Sequence, residues 1–380
     1  MNITRRYRSF DFLLFTAACG LVIFGIILIG SATLINTEGP SKEYQMQQIF
    51  FAAGVVLMLV SAFVDYHFIA KFYIAIYIGG VLLLILVLFL DRDSTSGVSR
   101  WIMIGKIGIQ PSEFMKIFII LGLSGFLFNI KERLNEPRIL AAIIALTAIP
   151  TVLIIRQPSL SASMVTMVIA AGMLYAGGLS YKYIFGALIA VLPVSIFGYF
   201  DLLREEPLIV DKIFAEYQLT KIQTFINPIP GSDQYFQTNN SIHAIGSGLL
   251  NGKGLYGGTV NQMKYLPESQ NDFIFSVIGE EFGFLGCMLV LGVMFIIILK
   301  CVLIAHKACD TLGKLIASGV AIMLAFQVFV NVGVATGIMP NTGMPFPFMS
   351  SGGSSLLVCM IAIGLAINVG MSKQKSLFEG

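Results

Sequence analysis

The stretch Phe12–Leu34 reads FLLFTAACGLVIFGIILIGSATL and contains no charged side chain. A helix crossing the hydrocarbon core of a bilayer needs about 20 mostly apolar residues, so this run is long enough to span. It is too long for the apolar core of a secretory signal and lacks a small-residue cleavage site, so it reads as a retained helix. Nine further runs of this kind, bounded by charge, Pro or Gly, follow near 46–64, 70–90, 113–130, 138–155, 160–178, 181–200, 273–299, 312–336 and 351–371. The composition agrees: 56% of the 380 residues are hydrophobic and 12% charged, with a mean hydropathy of +0.85. Such a balance excludes an ordinary water-soluble domain. The expected fold is all-α and integral to the membrane: one domain over residues 1–380, about ten transmembrane helices, and a long extracellular loop, 201–272, between helices 7 and 8.

An even number of spans puts both termini on one side. Arg5, Arg6 and Arg8 at one end and Lys373 and Lys375 at the other mark that side as cytoplasmic, and Lys131, Arg133, Arg138, Lys300, Lys307 and Lys314 fall on it too. The opposite side carries the excess of Asp and Glu. The five cysteines, Cys19, Cys287, Cys301, Cys309 and Cys359, have no paired spacing, and His67, His243 and His306 are isolated, so neither a disulfide framework nor a histidine metal cage is expected.

Two outer segments are long, 91–112 and 201–272. In the second, Val210, Ile213, Phe214, Tyr217, Ile222 and Phe225 have the spacing of a helix lying on the outer leaflet over Leu208–Ile226. A glycine-dense stretch follows, Gly246, Gly248, Gly252, Gly254, Gly257 and Gly258, where backbone can approach a ligand or another helix closely, or which simply connects. Ser247–Gly254 resembles a phosphate-binding loop only superficially, because Ser247 replaces its first Gly and Gly254 its Ser or Thr.

Ionisable groups against hydrocarbon are costly, which makes them candidates for function. Arg100 and Trp101 precede Gln110-Pro111-Ser112-Glu113-Phe114-Met115-Lys116, where Pro111 suits a helix start and Glu113 and Lys116 share a face, as an ion pair or as two groups on one cavity. Leu266-Pro267-Glu268-Ser269-Gln270-Asn271-Asp272 leads into an apolar helix. Asp272, where water gives way to lipid, can be an N-cap, a cation ligand or a general base. Glu280 and Glu281, beside Gly279, Gly283 and Gly286, read as structural. Finally, Pro340 to Ser355 holds three prolines and three glycines, which lipid tolerates only where the backbone is buried or lines a polar cavity. Its hydroxyls and amides, with Ser350, Ser351, Gly352 and Gly353 foremost, could cradle an anionic head group.

Taken together, the Arg100-Trp101 and Gln-Pro-Ser-Glu-x-x-Lys block, the Leu-Pro-Glu-x-x-x-Asp-Phe-Ile-Phe block with Gly-Glu-Glu-Phe-Gly, and Asn331 through Ser-x-Gly-Gly-Ser-Ser resemble the SEDS family. These are bacterial cell-shape, division and sporulation proteins (RodA, FtsW and SpoVE), and the likeness spans nearly the whole chain. The resemblance implies a ten-helix peptidoglycan glycosyltransferase that polymerises lipid II on the outer face of the cytoplasmic membrane beside a class B penicillin-binding protein. Asp272 looks like the family's essential aspartate, and Trp101, Glu113 and Lys116 like its other functionally important residues. Ser269-Gln270-Asn271, Asn341, Ser351 and Ser159 depart from the family pattern, which has Asp at the last of these. Gly252 to Gly254 and the compact termini lean towards the elongation type.

On this reading Asp272, Glu113 and Lys116 are the catalytic residues, with Asp272 as the base; Arg100, Trp101, Gln110 and residues 350–353 bind substrate, and Lys116, Arg100 and a divalent cation, Mg or Mn, ligated by Asp272, offset the charge of undecaprenyl pyrophosphate as it leaves. Membrane lipid surrounds the protein, and nucleic acid is not expected as a partner. A flippase for the lipid-linked precursor and a non-catalytic scaffold for a transpeptidase are the rival classes. Candidate charges gathered at the outer face favour catalysis there over a path through the membrane. The charge asymmetry also predicts that a cysteine introduced at Ser232 reacts with a membrane-impermeant maleimide in intact cells. Labelling only after lysis would reverse the orientation.

Overall fold

The computed structural model describes residues 10–33, 41–90, 100–105, 107–157, 159–202, 204, 216–228, 231–263 and 265–376. Its helices are α1 Phe12–Thr33, α2 Lys42–Phe63, α3 Tyr66–Lys71, α4 Tyr73–Leu90, α5 Pro111–Ile130, α6 Pro137–Arg156, α7 Leu160–Ala176, α8 Tyr181–Leu202, α9 Glu216–Ile226, α10 Asp233–Ser247, α11 Thr259–Gln262, α12 Ile274–His306, α13 Thr311–Ala335 and α14 Gly353–Ser376. Among the described residues nine of these are long and apolar enough to cross a membrane, and α7, also apolar, has 17 residues. At 1.5 Å per residue α7 is about 25 Å long, near the lower limit for a span, so the ten expected segments are all present as helices.

α5, α13 and α14 are the most enclosed spans, and α14 lies along α2. Small residues set that contact: Gly54 faces Met360, and Gly364 faces Met58 and Ser61. α8, by contrast, leaves its whole apolar surface exposed. Five threonine hydroxyls within the spans are satisfied locally. Thr16, Thr33, Thr147, Thr151 and Thr166 each donate to the carbonyl four residues earlier, at 2.6–3.0 Å, which removes the cost of an unpaired donor in lipid.

Three features depart from the sequence expectation. The segment 91–112 contains a hairpin, β1 Ile102–Ile104 antiparallel to β2 Ile107–Ile109, with Ile102 opposite Ile109. Strands of three residues are too short to give a periodic signal, and Gly105, at φ 64°, supplies the turn. The rest of that segment, 91–99 and 106, lies outside the described residues, as do Arg5, Arg6 and Arg8. The surface helix expected over 208–226 is present in its described part as α9, from Glu216, and residues 208–215 lie outside the described residues. The second departure is that the segment 201–272, expected as a long loop, contains α9, α10 and α11 among its described residues.

The third departure is the break in α12. Gly283 has φ 63° and ψ −161°, which separates Ile274–Phe282 from the span that follows. A broken helix exposes backbone donors and acceptors that lipid cannot satisfy. Here the glycine-dense segment supplies their partners. Lys253 and Gly254 donate their amides to the Glu280 and Glu281 carbonyls at 3.0 and 2.9 Å, while Phe284 and Leu285 donate theirs to the Leu249 and Leu250 carbonyls at 2.9 and 3.1 Å. A methyl at Gly248 would strike the Gly279 carbonyl, and one at Gly252 the Glu281 carbonyl, so the segment must be glycine to lie this close. Glu280 fastens the same contact. It pairs with Lys253 at 2.7 Å and accepts from the Val260 and Asn261 amides at 2.9 and 3.3 Å. Glu281 accepts a hydrogen bond from Ser31 on α1. Both glutamates are structural, as expected.

Gly252→Ala combines a left-handed backbone, φ 78°, with this collision. Backbone strain of about 1–2 kcal/mol and overpacking of about 1–3 kcal/mol predict a clear fall in Tm. Gly246→Ala, which has nothing within 4 Å, should leave Tm unchanged or raise it. Thermal unfolding of the two purified variants in detergent checks the contrast.

Candidate active site

The starts of α5, α7, α12 and α14, which are the fourth, sixth, eighth and tenth spans, lie at one end of the bundle, as an up-and-down arrangement requires. There they surround a cavity of about 350 Å³. The hairpin contributes Arg100, Trp101 and Gln110, α5 Glu113, α7 Ser159 to Ser161, and α9 Lys221. Residues 268–272 give Glu268, Asn271 and Asp272, and the segment between α13 and α14 gives Thr342, Gly343, Pro345, Ser351 and Gly352.

Seven of the ten residues singled out from sequence therefore line one cavity: Arg100, Trp101, Gln110, Glu113, Asp272, Ser351 and Gly352. Three do not. Lys116 is 1% exposed and lies behind Glu113, donating to both carboxylate oxygens at 2.7 Å, so its charge is spent on the pair. Ser350 is a fastener: its hydroxyl donates to the Asn271 carbonyl at 2.6 Å and accepts from the Phe346 amide at 2.7 Å. Gly353 packs against the ring of Phe50. Sequence reading missed Lys221 as a site residue. Its position on the amphipathic stretch 208–226 was the available signal, but periodicity does not say what such a helix covers.

The segment 340–352 is irregular backbone at the end of the bundle, and several of its backbone groups are matched by side chains and backbone from elsewhere. The Ser351 amide donates to the Gln270 carbonyl at 2.8 Å, and Gln47 of α2 donates to the Ser350 carbonyl at 3.1 Å while accepting from the Gly352 amide at 3.2 Å. Gln110 is tied to the start of α14 through its amide and Ser354, at 2.9 Å. Two residues facing this region, Glu268 and Phe348, are held at φ 55° and 68°, conformations a non-glycine residue adopts at a cost of about 1–3 kcal/mol.

Asp272 does not cap α12. The cap position belongs to Phe273, and no side chain bonds the first turn there. The Asp272 carboxylate instead points across the cavity to Gly343, where a methyl added to the glycine would lie 3.3 Å from Oδ2. Gly343 is left-handed, φ 71°, so a side chain there would be strained as well as crowded. Burial pushes the Asp272 carboxyl up to about 6; Lys221 opposes that shift, Glu268 adds to it and Arg100 opposes it. The cavity thus places a half-buried carboxylate poised near neutrality between two cations and several hydroxyls.

Comparison with known proteins is decisive at this point: the FtsW/RodA/SpoVE family, described as cell cycle proteins, matches residues 11–375. The chain belongs to this family. Among the FtsW/RodA/SpoVE relatives, a probable peptidoglycan glycosyltransferase FtsW of Trichlorobacter lovleyi is 32% identical over 374 residues, covering 96% of this chain and 94% of its own. The peptidoglycan glycosyltransferase RodA of Treponema pallidum is also 32% identical, covering 96% and 98%. The crystal structure of the rod shape determining protein RodA of Thermus thermophilus matches with a TM-score of 0.68 at 25% identity over 96% of this chain and 97% of that one. A chain of a peptidoglycan synthase complex, studied for how it coordinates polymerisation and crosslinking, matches with a TM-score of 0.78 at 24% identity, covering 96% and 98%.

The Glu113–Lys116 pair gives the prediction for this site. Removing one partner strands a buried charge, at a cost of roughly 3–5 kcal/mol. Lys116→Ala should therefore lower Tm strongly, and Lys116→Ala with Glu113→Ala should recover part of the loss. Equal Tm for Lys116→Ala and the unsubstituted protein would mean the pair contributes nothing to stability.

Proposed function

We propose that this member of the family is a peptidoglycan glycosyltransferase that polymerises lipid II, with Asp272 as its general base. The observation that carries the reading is the single cavity in which Asp272 meets Arg100 and Lys221. Relatives of nearly equal length that bear the glycosyltransferase name support it. The charge asymmetry along the chain puts both termini in the cytoplasm and this cavity at the outer face of the bacterial cytoplasmic membrane, where lipid-linked sugars are to be joined.

In the proposed reaction a sugar hydroxyl of one lipid-linked unit attacks the anomeric carbon of another. The new carbon–oxygen bond forms as the bond to the diphosphate breaks. The electron pair leaves with undecaprenyl pyrophosphate, the configuration inverts, and the hydroxyl proton passes to the Asp272 carboxylate. A carboxylate that titrates near 6 is a stronger base than an ordinary aspartate and is still ionised at neutral pH. Arg100 and Lys221 receive the negative charge that develops on the diphosphate. Trp101, which is 44% exposed at the cavity mouth, offers a flat face to a sugar ring, and Gln110, Ser351 and Gly352 offer hydrogen-bonding groups. Glu113 lines the wall, held in place by Lys116.

Among the described residues no three His, Cys, Asp or Glu side chains converge on a metal-sized site. A Mg or Mn ion at Asp272 would accordingly draw its remaining ligands from water and the substrate diphosphate, the manner in which Mg²⁺ is usually held. When bound, such an ion supplies positive charge at the leaving oxygen. A class B penicillin-binding protein is the proposed partner, in keeping with the synthase complex that this fold matches and that couples polymerisation to crosslinking.

Lipid II polymerisation by the purified protein, with that partner present, tests the reading through Asp272→Asn. Asparagine keeps the shape but cannot take a proton, so the rate should fall by about 100-fold or more. In the unsubstituted protein the rate should rise with pH through about 6, as Asp272 ionises, and the variant should lack that limb. Stability runs the other way. Because burial raises the folded-state value, the ionised form destabilises the fold above about pH 6, and that cost fades as pH falls towards 4. The Asn variant should consequently be at least as stable as the parent at pH 7.5. A stable, fully active Asp272→Asn protein would remove Asp272 from catalysis.

A further inference from the structure

Asp272 lies in the turn that leads into a half-helix nine residues long, Ile274–Phe282, which ends at the Gly283 break, so this first part of α12 is not held in place by the continuous span beyond it. The opposite wall, Thr342 to Pro345, is irregular backbone. Two elements of this kind need a common anchor if the gap between them is to stay fixed. Asn331, fully buried near the end of α13, reaches both. Its Nδ2 donates one hydrogen to the Asp272 carbonyl at 2.9 Å and the other to the Met344 carbonyl at 2.6 Å.

The chemistry of the contact is selective. Two carbonyl oxygens converge on one side-chain atom, which must therefore carry two hydrogens. The opposite orientation of the carboxamide would set its oxygen against both carbonyls, so the orientation is fixed by the partners. Met344 follows Gly343, whose backbone faces the Asp272 carboxylate. The same carboxamide thus holds the residue that bears the carboxylate and the residue next to the surface that the carboxylate faces.

We infer that Asn331 is a positioning residue: it fixes the Asp272 carboxylate relative to the 342–345 wall and so sets the geometry in which the attacking hydroxyl is met. This rests on the reading of Asp272 as the base. Asn331 touches neither the cavity nor, by its depth, a bound sugar, so its effect has to pass through Asp272. The groups that face that carboxylate are Lys221 on α9, Arg100 beside the hairpin and Glu268 on its own segment. A shift of the carboxylate changes its distance from all three and from the buried wall.

The test is Asn331→Leu, similar in size and without donors, in the full-length protein with lipid II as substrate and Tm measured on the same samples. A misplacement on the order of 1 Å can cost about 100-fold in rate. Expected are a fall in kcat of about 10-fold to 100-fold, a KM for lipid II within about 2-fold, and a displaced acid limb in the pH profile. Asn331→Gln, which restores the two donors on a longer arm, should recover part of kcat. An unchanged kcat would overturn the inference. So would a loss of activity that tracks the folded fraction while the acid limb stays in place, since that is what simple destabilisation produces. Failure of the Asp272 reading is separately visible, as activity and an acid limb retained in Asp272→Asn.

Discussion

Hydrocarbon offers no hydrogen-bond partners, and every irregular stretch of backbone near it must find its own. That constraint organises the cavity end of the bundle. The cavity is built from chain that is not helical: the hairpin, the turn before α12, the Gly283 break and the segment from α13 to α14. None of these could exist singly. The break is matched by residues 249–254, the 350–352 segment by Gln270 and Gln47, and the turn at Asp272 by Asn331. The irregular pieces are hydrogen-bonded to one another and to the neighbouring spans, and the cavity forms where they meet.

This interlocking explains how charge is distributed. Lys116 and Lys253 are both consumed by buried glutamates, one under the cavity floor and one at the helix break. Such pairs return little net stability compared with apolar packing, but they hold defined geometry. Arg100, beside the hairpin, and Lys221, on α9, border the cavity. Lys116 lies inside a span and must be neutralised to be buried at all, whereas Lys253 lies outside the spans and is held at the helix break by Glu280.

The spans were legible because their signal is additive: twenty apolar residues in a row admit one interpretation, and α1 to α14 recover all ten. The outer elements were legible in proportion to their chemistry. Pro111 and the Glu113–Lys116 spacing predicted a helix start and a pair, and both are present. Asp272 was ambiguous between cap and site, because an aspartate before a helix fits either, and only the folded chain places the cap at Phe273. That Gly283 breaks the helix was not legible, since close helix packing and positive φ both call for glycine. The roles of Lys221 and Asn331 were hidden for a different reason. Each depends on Asp272, more than 50 residues away in sequence, and no local pattern encodes such a pairing.

The electrostatics of the cavity carry a further consequence for the proposed reaction. Burial alone would make Asp272 a reluctant anion, and Arg100 and Lys221 partly restore its ionisation. A diphosphate bound to those cations would offset their field at the carboxylate. The apparent proton affinity of Asp272 would then rise when substrate occupies the cavity, since an opposing charge has been screened and a like charge has arrived nearby. The base would therefore be ionised in the empty site, and strengthened further by the anion whose departure it assists. Such coupling needs the carboxylate and the cations in one small, water-poor cavity, which is what the interlocked backbone provides.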